Sequence, residues 1–235
     1  MQPTFNPWIG YFDLIDYVDK FVFLDIVQLN QQSWQTRNKL LLQGKENLFS
    51  LPVVKNKIKN ELLIKDSLLD FRKFDFRKKL MRTLEQNYKK AKYYNEVNEF
   101  INSIVFYESE LLSQYNINII KKIVEKLKIT TQILILSQTD YQKETDKGDL
   151  VLDICKYYNV KEYVSPLGSK NYLETVKEKF ISKNINIYYQ YYEHKEYKQL
   201  SEVFIPYIGI FDLLYNEGFE NSINIIRKGR NYENR

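Results

Sequence analysis

The sequence contains few of the residues that form disulfides or bind metal ions. It has one cysteine, Cys155, and one histidine, His194. A single cysteine excludes an internal disulfide and suits a reducing compartment, and the apolar helical pattern around Cys155 predicts a buried structural thiol. Zinc sites use clusters of cysteine and histidine, so no metal site is predicted. The imidazole of His194 can act as a general base near neutral pH, but its charged surroundings favour an exposed loop residue.

Long apolar runs are missing as well. No apolar run of about 18 residues and no charged-then-apolar leader occurs, which predicts neither a membrane span nor a secretory signal and favours a cytoplasmic location. The formal net charge is +5, and the lysines of the chain are spread over solvated helix faces. This distribution argues against specific nucleic-acid binding. The length suits one α/β domain over residues 1–235.

The hydrophobic pattern predicts an α/β fold with a mostly parallel central sheet and flanking helices. A short helix over 8–17 precedes a dense apolar run at 21–29, which is typical of a buried parallel strand. Further along, strands alternate with helices, as in βαβ units. These later elements are strands at 130–137, 162–166 and 185–192, and helices at 149–158 and 171–183.

The middle of the chain follows a different pattern. A small antiparallel β insertion is predicted over about 38–66, with two strands around Gly44 and a third strand at 60–66. Residues 70–128 show helical spacing of apolar side chains, which predicts three helices. This helical middle segment carries no evident chemistry.

Residues 1–12, MQPTFNPWIGYF, are the most informative segment. Pro3 and Pro7 restrict the backbone and predict a rigid loop that opens onto a helix, while Gly10 lets another backbone or a ligand approach closely. Such a loop often holds a small anionic or polar ligand in α/β proteins. The segment 165–169, SPLGS, lies between a predicted strand and a helix, where ligands also bind in open α/β sheets.

Two blocks of the sequence resemble the WbqC-like family of bacterial proteins. The matching segments are QPTFNPWIGYF, DYVDKFVFLDIVQ at 16–28, SWQTRNK at 33–39, YVSPLGSKNYL at 163–173 and EYKQLSEVFIPYIGIFDLLYNEG at 196–218. The resemblance implies a place in the synthesis of O-antigen and other surface polysaccharides, without a settled reaction. Relatives have apolar residues before the Gln-Pro, so either the native chain starts upstream of Met1 or its first strand is a stub.

The chain departs from the family pattern at two places. Ile26 stands where relatives often have a second acid after Asp25, and Ile208-Gly209 stands where they usually have Leu-Ser. An adjacent carboxylate pair and a serine hydroxyl are therefore absent from these positions.

The same blocks supply the candidate site residues. Asp25 ends a predicted strand, where a carboxylate can act as a general base or hold a sugar hydroxyl, or can instead cap the strand or pair with Arg37. Arg37 can bind a phosphate or carboxylate, and an indole face suits a pyranose ring. Asp212 and Asn216 share one helix face, for a ligand or for structural hydrogen bonds. Asp25 and Arg37 are the candidate catalytic residues, and the candidate substrate-binding residues are Gln2, Asn6, Trp8, Tyr11, Gln28, Trp34, Asn38, Ser165, Gly168, Tyr172, Tyr197, Gln199, Asp212 and Asn216.

The sequence and the resemblance together predict an enzyme that transfers an acyl or aminoacyl group to the amino group of a nucleotide-linked amino sugar. Its expected partners are that sugar and an acyl or aminoacyl donor, while the cofactor and the oligomeric state stay open. One alternative is a nucleotidyltransferase-like, ATP-dependent ligase, although the phosphate-binding histidine of such enzymes is missing here. The other is a non-catalytic sugar-binding or scaffold protein.

Overall fold

The computed structural model describes residues 1–30, 32–54 and 62–234 and has a mixed α/β fold. Its helices are α1 (Ile9–Tyr17), α2 (Phe76–Tyr88), α3 (Tyr94–Val105), α4 (Leu112–Lys126), α5 (Lys147–Tyr157), α6 (Lys170–Glu174), α7 (Lys177–Ser182) and α8 (Ile210–Lys228). Its strands are β1 (Lys20–Phe23), β2 (Arg37–Leu42), β3 (Lys45–Ser50), β4 (Gln132–Ile135), β5 (Glu162–Pro166), β6 (Asn186–Gln190) and β7 (Tyr232–Asn234).

The described strands form three small sheets instead of one central, mostly parallel sheet. Strand β1 pairs in parallel with β4, and β2 forms an antiparallel hairpin with β3. In the third sheet, β6 lies between β5, which is parallel to it, and β7, which is antiparallel. Met1 lies beside β1, because its amine donates to the carbonyl of Val22 and its own carbonyl accepts from the amide of Leu24.

The predicted strand at 21–29 is shorter than expected for a specific reason. After Phe23 the chain leaves β4, and the backbone of residues 25–29 hydrogen-bonds to residues 62–65. The apolar run at 21–29 therefore pairs with two different segments, β4 and residues 62–65, instead of forming one strand of a continuous sheet. For the third strand predicted at 60–66, residues 60 and 61 lie outside the described part, and the rest contains a 3₁₀ turn at Ile64–Asp66, so the strand prediction was wrong there.

Other predicted elements are confirmed. The hairpin turns at Gly44, and three helices occupy the middle segment as α2, α3 and α4. The helix predicted at 171–183 is divided into α6 and α7, because Val176 departs from helical geometry where it packs against Gly148 of α5.

Two groups of buried apolar side chains fill the interior. The larger one joins α1, α2, α3, α4 and α8 to β1 and β2, whereas the smaller one lies between α5, α6, α7 and the β5–β6 pair. Cys155 belongs to the smaller group, which confirms the predicted buried thiol, and burial raises its pKa to about 12. No helix within the described ranges combines the length and apolarity needed to cross a membrane.

Candidate functional site

A cleft of about 510 Å³ opens at the carboxyl edge of the parallel strands β5 and β6. Its wall contains parts of three of the five segments that carry the family resemblance, together with residues 190–192, which lie outside those segments. The lining residues are Trp8, Pro166, Leu167, Gly168, Gln190, Tyr191, Tyr192 and Tyr207. Ligands of open α/β proteins bind at this edge of a sheet, and aromatic walls with a few polar groups are common in such sites.

Trp8 reaches the cleft because the chain on both sides of this residue is held in place. The carbonyl of Pro7 accepts a hydrogen bond of 2.9 Å from the amide of Ile210, which ties the start of α1 to the start of α8. The indole folds back over Gly10, where a β-carbon would lie 2.2 Å from the ring. The close approach at Gly10 was predicted for another backbone or a ligand, but the group that lies against this glycine is the ring of Trp8.

The segment after β5 forms the opposite side of the cleft. Strand β5 ends at Pro166, and Leu167–Ser169 makes one 3₁₀ turn before α6. A β-carbon on Gly168 would meet no atom within 4 Å. Glycine is thus not required here by packing, and a larger side chain would extend into the open space beside the cleft.

The amide of Gln190 supplies a polar group in the floor of the cleft. Its nitrogen donates to the carbonyl of Gly10 at 2.8 Å and to the carboxylate of Asp13 at 3.0 Å. Asp13 is fully buried and also accepts hydrogen bonds from Arg230 and Tyr232. These contacts fix the orientation of the Gln190 side-chain amide, whose nitrogen also donates to the hydroxyl of Tyr232 at 3.1 Å.

His194 was not predicted as a site residue, yet it lies directly behind the cleft. Its ring centroid is 5.1 Å from that of Trp8, 5.4 Å from that of Tyr192 and 4.3 Å from that of Tyr207. The expectation of an exposed loop histidine was wrong, because this aromatic contact set covers the imidazole. Burial lowers the pKa of His194 to about 4, so the ring is neutral at pH 7.

Several predicted residues hold the N-terminal loop to the rest of the molecule. Tyr11 donates its hydroxyl to the carbonyl of Gln2 at 2.9 Å, and Asn38 donates to the carbonyl of Phe5 at 2.9 Å. The side-chain oxygen of Asn6 accepts from the amide of Phe211 at 3.2 Å. These bonds tie the loop to α1, β2 and α8, and Pro3, Phe5, Asn6 and Pro7 are buried, whereas the rigidity expected from the two prolines stays a prediction.

The predicted residues of the C-terminal block form a buried hydrogen-bond cluster. Asp212 accepts hydrogen bonds from Tyr197 at 2.7 Å, from Gln199 at 2.9 Å and from Tyr88 of α2 at 2.9 Å. Asn216 donates to the main-chain carbonyl of Asp212, one turn earlier on α8. Burial raises the pKa of Asp212, although the three donors oppose this shift.

Among the residues that the structure describes, no hydrogen bond or ion pair joins Asp25 to Arg37. Both carboxylate oxygens of Asp25 accept hydrogen bonds from Ser137, which follows β4. The Nε atom of Arg37 is buried, and no described residue accepts a hydrogen bond from it. Of the remaining candidates, Gln28 and Trp34 are exposed, Ser165 is buried and Tyr172 is half-buried beside the smaller core. Substrate contact stays a prediction for all of the candidate residues, inside and outside the cleft.

Comparison with known proteins agrees with the sequence resemblance. The model of the WbqC-like protein family matches residues 2–224. The chain is 30% identical over 223 residues to the uncharacterized protein Rv1507c of Mycobacterium tuberculosis, an alignment that covers 94% of this chain and 93% of that protein. No solved structure matches the chain. The segments around Trp8 and Gly209 come from opposite ends of the chain and meet in the structure, and both lie inside the range that the family model matches. The chain belongs to the WbqC-like protein family.

Proposed function

We propose that the protein binds a nucleotide-linked amino sugar in the cleft and transfers an acyl or aminoacyl group to the sugar's amine, as a step in the assembly of a bacterial surface polysaccharide. The genetic setting that the family resemblance implies supports the pathway. The aromatic wall of the cleft supports the class of ligand.

The observation that carries this proposal is the combination of Trp8, Tyr192 and Tyr207 in one wall of the cleft. Apolar faces of pyranose rings and of nucleobases pack against such aromatic side chains. The side chain of Gln190 lines the same cleft, and an amide oxygen can accept a hydrogen bond from a hydroxyl or an amine. A ring-shaped ligand with polar edges fits this arrangement better than a fully apolar one does.

The segment beyond Gly168 adds a positive charge near the cleft. The ammonium group of Lys170 lies 3.3 Å from the hydroxyl of Tyr191, a residue of the cleft wall. A lysine is a suitable partner for phosphate oxygens. In this proposal, Lys170 lies on the diphosphate side of the ligand and the aromatic wall lies on the side of the sugar.

The proposed chemistry forms one amide bond. The amine nitrogen attacks the acyl carbon of a thioester or ester donor, the bond between this carbon and the leaving group breaks, and the ammonium proton passes to a base. Asp25 and Arg37 remain the predicted catalytic residues. Replacing Asp25 with Asn tests this role, because the amide keeps the size of the side chain and cannot accept the proton.

Isothermal titration calorimetry with UDP-glucosamine and with dTDP-linked 4-amino-4,6-dideoxyglucose tests the binding step. We expect binding of at least one of these sugars and a loss of affinity of about tenfold or more in Trp8→Ala. Tyr107→Ala is the matched control, since Tyr107 is a partly exposed aromatic residue outside the cleft wall. Absence of binding to both sugars, or wild-type affinity in Trp8→Ala, would overturn the proposal.

The transfer step is tested separately by mass spectrometry. Wild-type protein is incubated with the bound sugar and acetyl-CoA or an aminoacyl ester, and the N-acylated sugar is the expected product. Sugar binding without this product from either donor, in both the wild type and Asp25→Asn, would replace the transferase with a sugar-binding scaffold. Binding of ATP in place of the sugars would favour the ligase alternative.

A further inference from the structure

His194 combines two properties that rarely occur together in a folded protein. It is covered by the aromatic side chains that form the cleft wall, and neither of its ring nitrogens has a hydrogen-bond partner among the residues that the structure describes, although both nitrogens are buried. Buried polar groups are almost always paired, and an unpaired one costs about 1–3 kcal/mol. The unpaired ring nitrogens of His194 therefore indicate a hydrogen-bond partner that comes from outside the protein.

The contacts of the imidazole indicate where that partner enters. Trp8, Tyr192 and Tyr207 each touch the ring of His194, and each of them also lines the cleft. Phe204 contacts the ring as well, at a centroid distance of 6.5 Å. A ligand in the cleft is thus separated from the imidazole by a single layer of aromatic rings.

Tyr207 is the part of this layer that is best able to move. The residue is 52% exposed, and its ring stands edge-on to the imidazole at a centroid distance of 4.3 Å. Its backbone has φ of 61°, which is an unfavourable conformation for a bulky L-residue. Strained residues of this kind cluster at ligand clamps and switch regions.

We propose that Tyr207 is a movable cover over His194, and that a ligand in the cleft displaces this cover and hydrogen-bonds to the imidazole through a hydroxyl group of its sugar ring. The inference rests on the proposed function and goes further by naming the residue that contacts the sugar. A neutral imidazole has one donor and one acceptor, and a hydroxyl group has both as well, so the two are complementary. Phosphate oxygens, which only accept, would use one of the two nitrogens at most.

The first experiment tests the cover without any sugar ligand. Diethyl pyrocarbonate acylates accessible neutral imidazole, and the absorbance at 240 nm reports one site here because the chain has one histidine. We expect Tyr207→Ala to react about tenfold faster or more than the wild type, because local opening controls access. The control Tyr107→Ala should react at the wild-type rate. Equal rates in Tyr207→Ala and the wild type would overturn the role of Tyr207.

The second experiment tests the hydrogen bond to the sugar. Calorimetry compares UDP-glucosamine and UDP alone in the wild type, His194→Phe and His194→Gln, whose unfolding midpoints are measured in parallel. We expect His194→Phe to bind UDP-glucosamine about tenfold more weakly and UDP unchanged, with most of the loss restored in His194→Gln, whose amide can also donate and accept.

Binding measurements on the wild type and on His194→Phe distinguish a failure of this inference from a failure of the proposed function. If the wild type binds UDP-glucosamine and His194→Phe binds it equally well, the sugar contact of His194 is wrong while the proposed function stands. If the wild type binds neither UDP-glucosamine nor the dTDP-linked sugar, the proposed function fails, and the sugar contact fails with it. A ring-nitrogen NMR signal of ¹⁵N-labelled His194 that does not shift on saturation with UDP-glucosamine also overturns the contact.

Discussion

Gly209 and Asn6 approach so closely that a β-carbon on Gly209 would lie 2.1 Å from the side-chain nitrogen of Asn6 and 2.5 Å from its carbonyl oxygen. Asn6 itself has φ of 42°, and its side chain accepts a hydrogen bond from Phe211. This contact joins the first and last blocks of the family resemblance. The space that a side chain at position 209 would need is therefore occupied by Asn6.

The first prediction concerns this contact. Gly209→Ala should destabilise the protein by about 1–3 kcal/mol, because the added methyl group meets main-chain as well as side-chain atoms that are buried. Urea denaturation at pH 7 measures the change. Gly168→Ala is the control, since a β-carbon at Gly168 has no neighbour within 4 Å. An equal stability of the two variants would show that Asn6 yields to the methyl group.

The second prediction uses the open space at Gly168. Gly168→Leu should fold with nearly wild-type stability but should weaken binding of the cleft ligand about tenfold, because its side chain would extend toward the space that the ligand needs. Calorimetry and urea denaturation of the same preparation separate the two effects. Undiminished affinity in Gly168→Leu would show that the ligand stays away from this side of the cleft.

The sequence predicts the individual helices and strands of this fold better than it predicts which segments pair with one another. The hairpin around Gly44 and the helices of the middle segment follow from periodicity, which depends on neighbouring residues only. Strand β1 pairs with β4, more than 100 residues later in the register Lys20 to Gln132, and residues 25–29 turn instead to residues 62–65. Such pairings are decided by tertiary packing, and an apolar run alone does not specify them.

The same limit applies to the site. The shared helix face of Asp212 and Asn216 was predictable from their spacing, but the hydroxyl of Tyr88 that reaches Asp212 comes from α2, 124 residues away. His194 was missed because its flanking residues are charged. The signal that it belongs to the cleft was the density of aromatic residues around it in the sequence, and the abundance of tyrosine in the whole chain obscured this signal.

The third prediction concerns the anchor of the cleft floor. Asp13→Asn should destabilise the protein by about 2–3 kcal/mol, because the buried carboxylate accepts from Arg230, Tyr232 and Gln190, and an amide cannot accept all of these bonds. Glu46→Gln, in the exposed ion pair with Lys39, is the control and should change stability by less than about 0.5 kcal/mol. Similar losses in both variants would contradict a special role of the buried carboxylate.

The fourth prediction concerns the buried carboxylate of Asp212. Tyr88→Phe removes one of its donors and should cost about 1–3 kcal/mol at pH 7. Burial raises the pKa of Asp212 in the folded protein, so lowering the pH protonates the carboxyl group and should reduce the deficit.

Tyr215→Phe is the control for this pH dependence. It removes a hydroxyl that donates to the uncharged side chain of Asn98, so its deficit should not change with pH. Thermal or urea unfolding of the wild type and both variants between pH 4 and 8 provides the comparison. A pH-independent deficit in Tyr88→Phe would show that Asp212 keeps the same protonation state over this range.

The fifth prediction follows from the pKa of His194, which burial lowers to about 4 from an ordinary value of 6.5. A lowered pKa in the folded state means that the neutral ring contributes full stability above pH 6.5 and that this contribution is lost as the pH falls toward 4. Because the residue as a whole is half-buried although its ring nitrogens are covered, the loss should be on the order of 1–2 kcal/mol. His194→Phe cannot take up this proton, so its free energy of unfolding should fall less than that of the wild type between pH 7 and pH 4.5. Parallel pH profiles of the two proteins would mean that the imidazole has solvent access in the folded state.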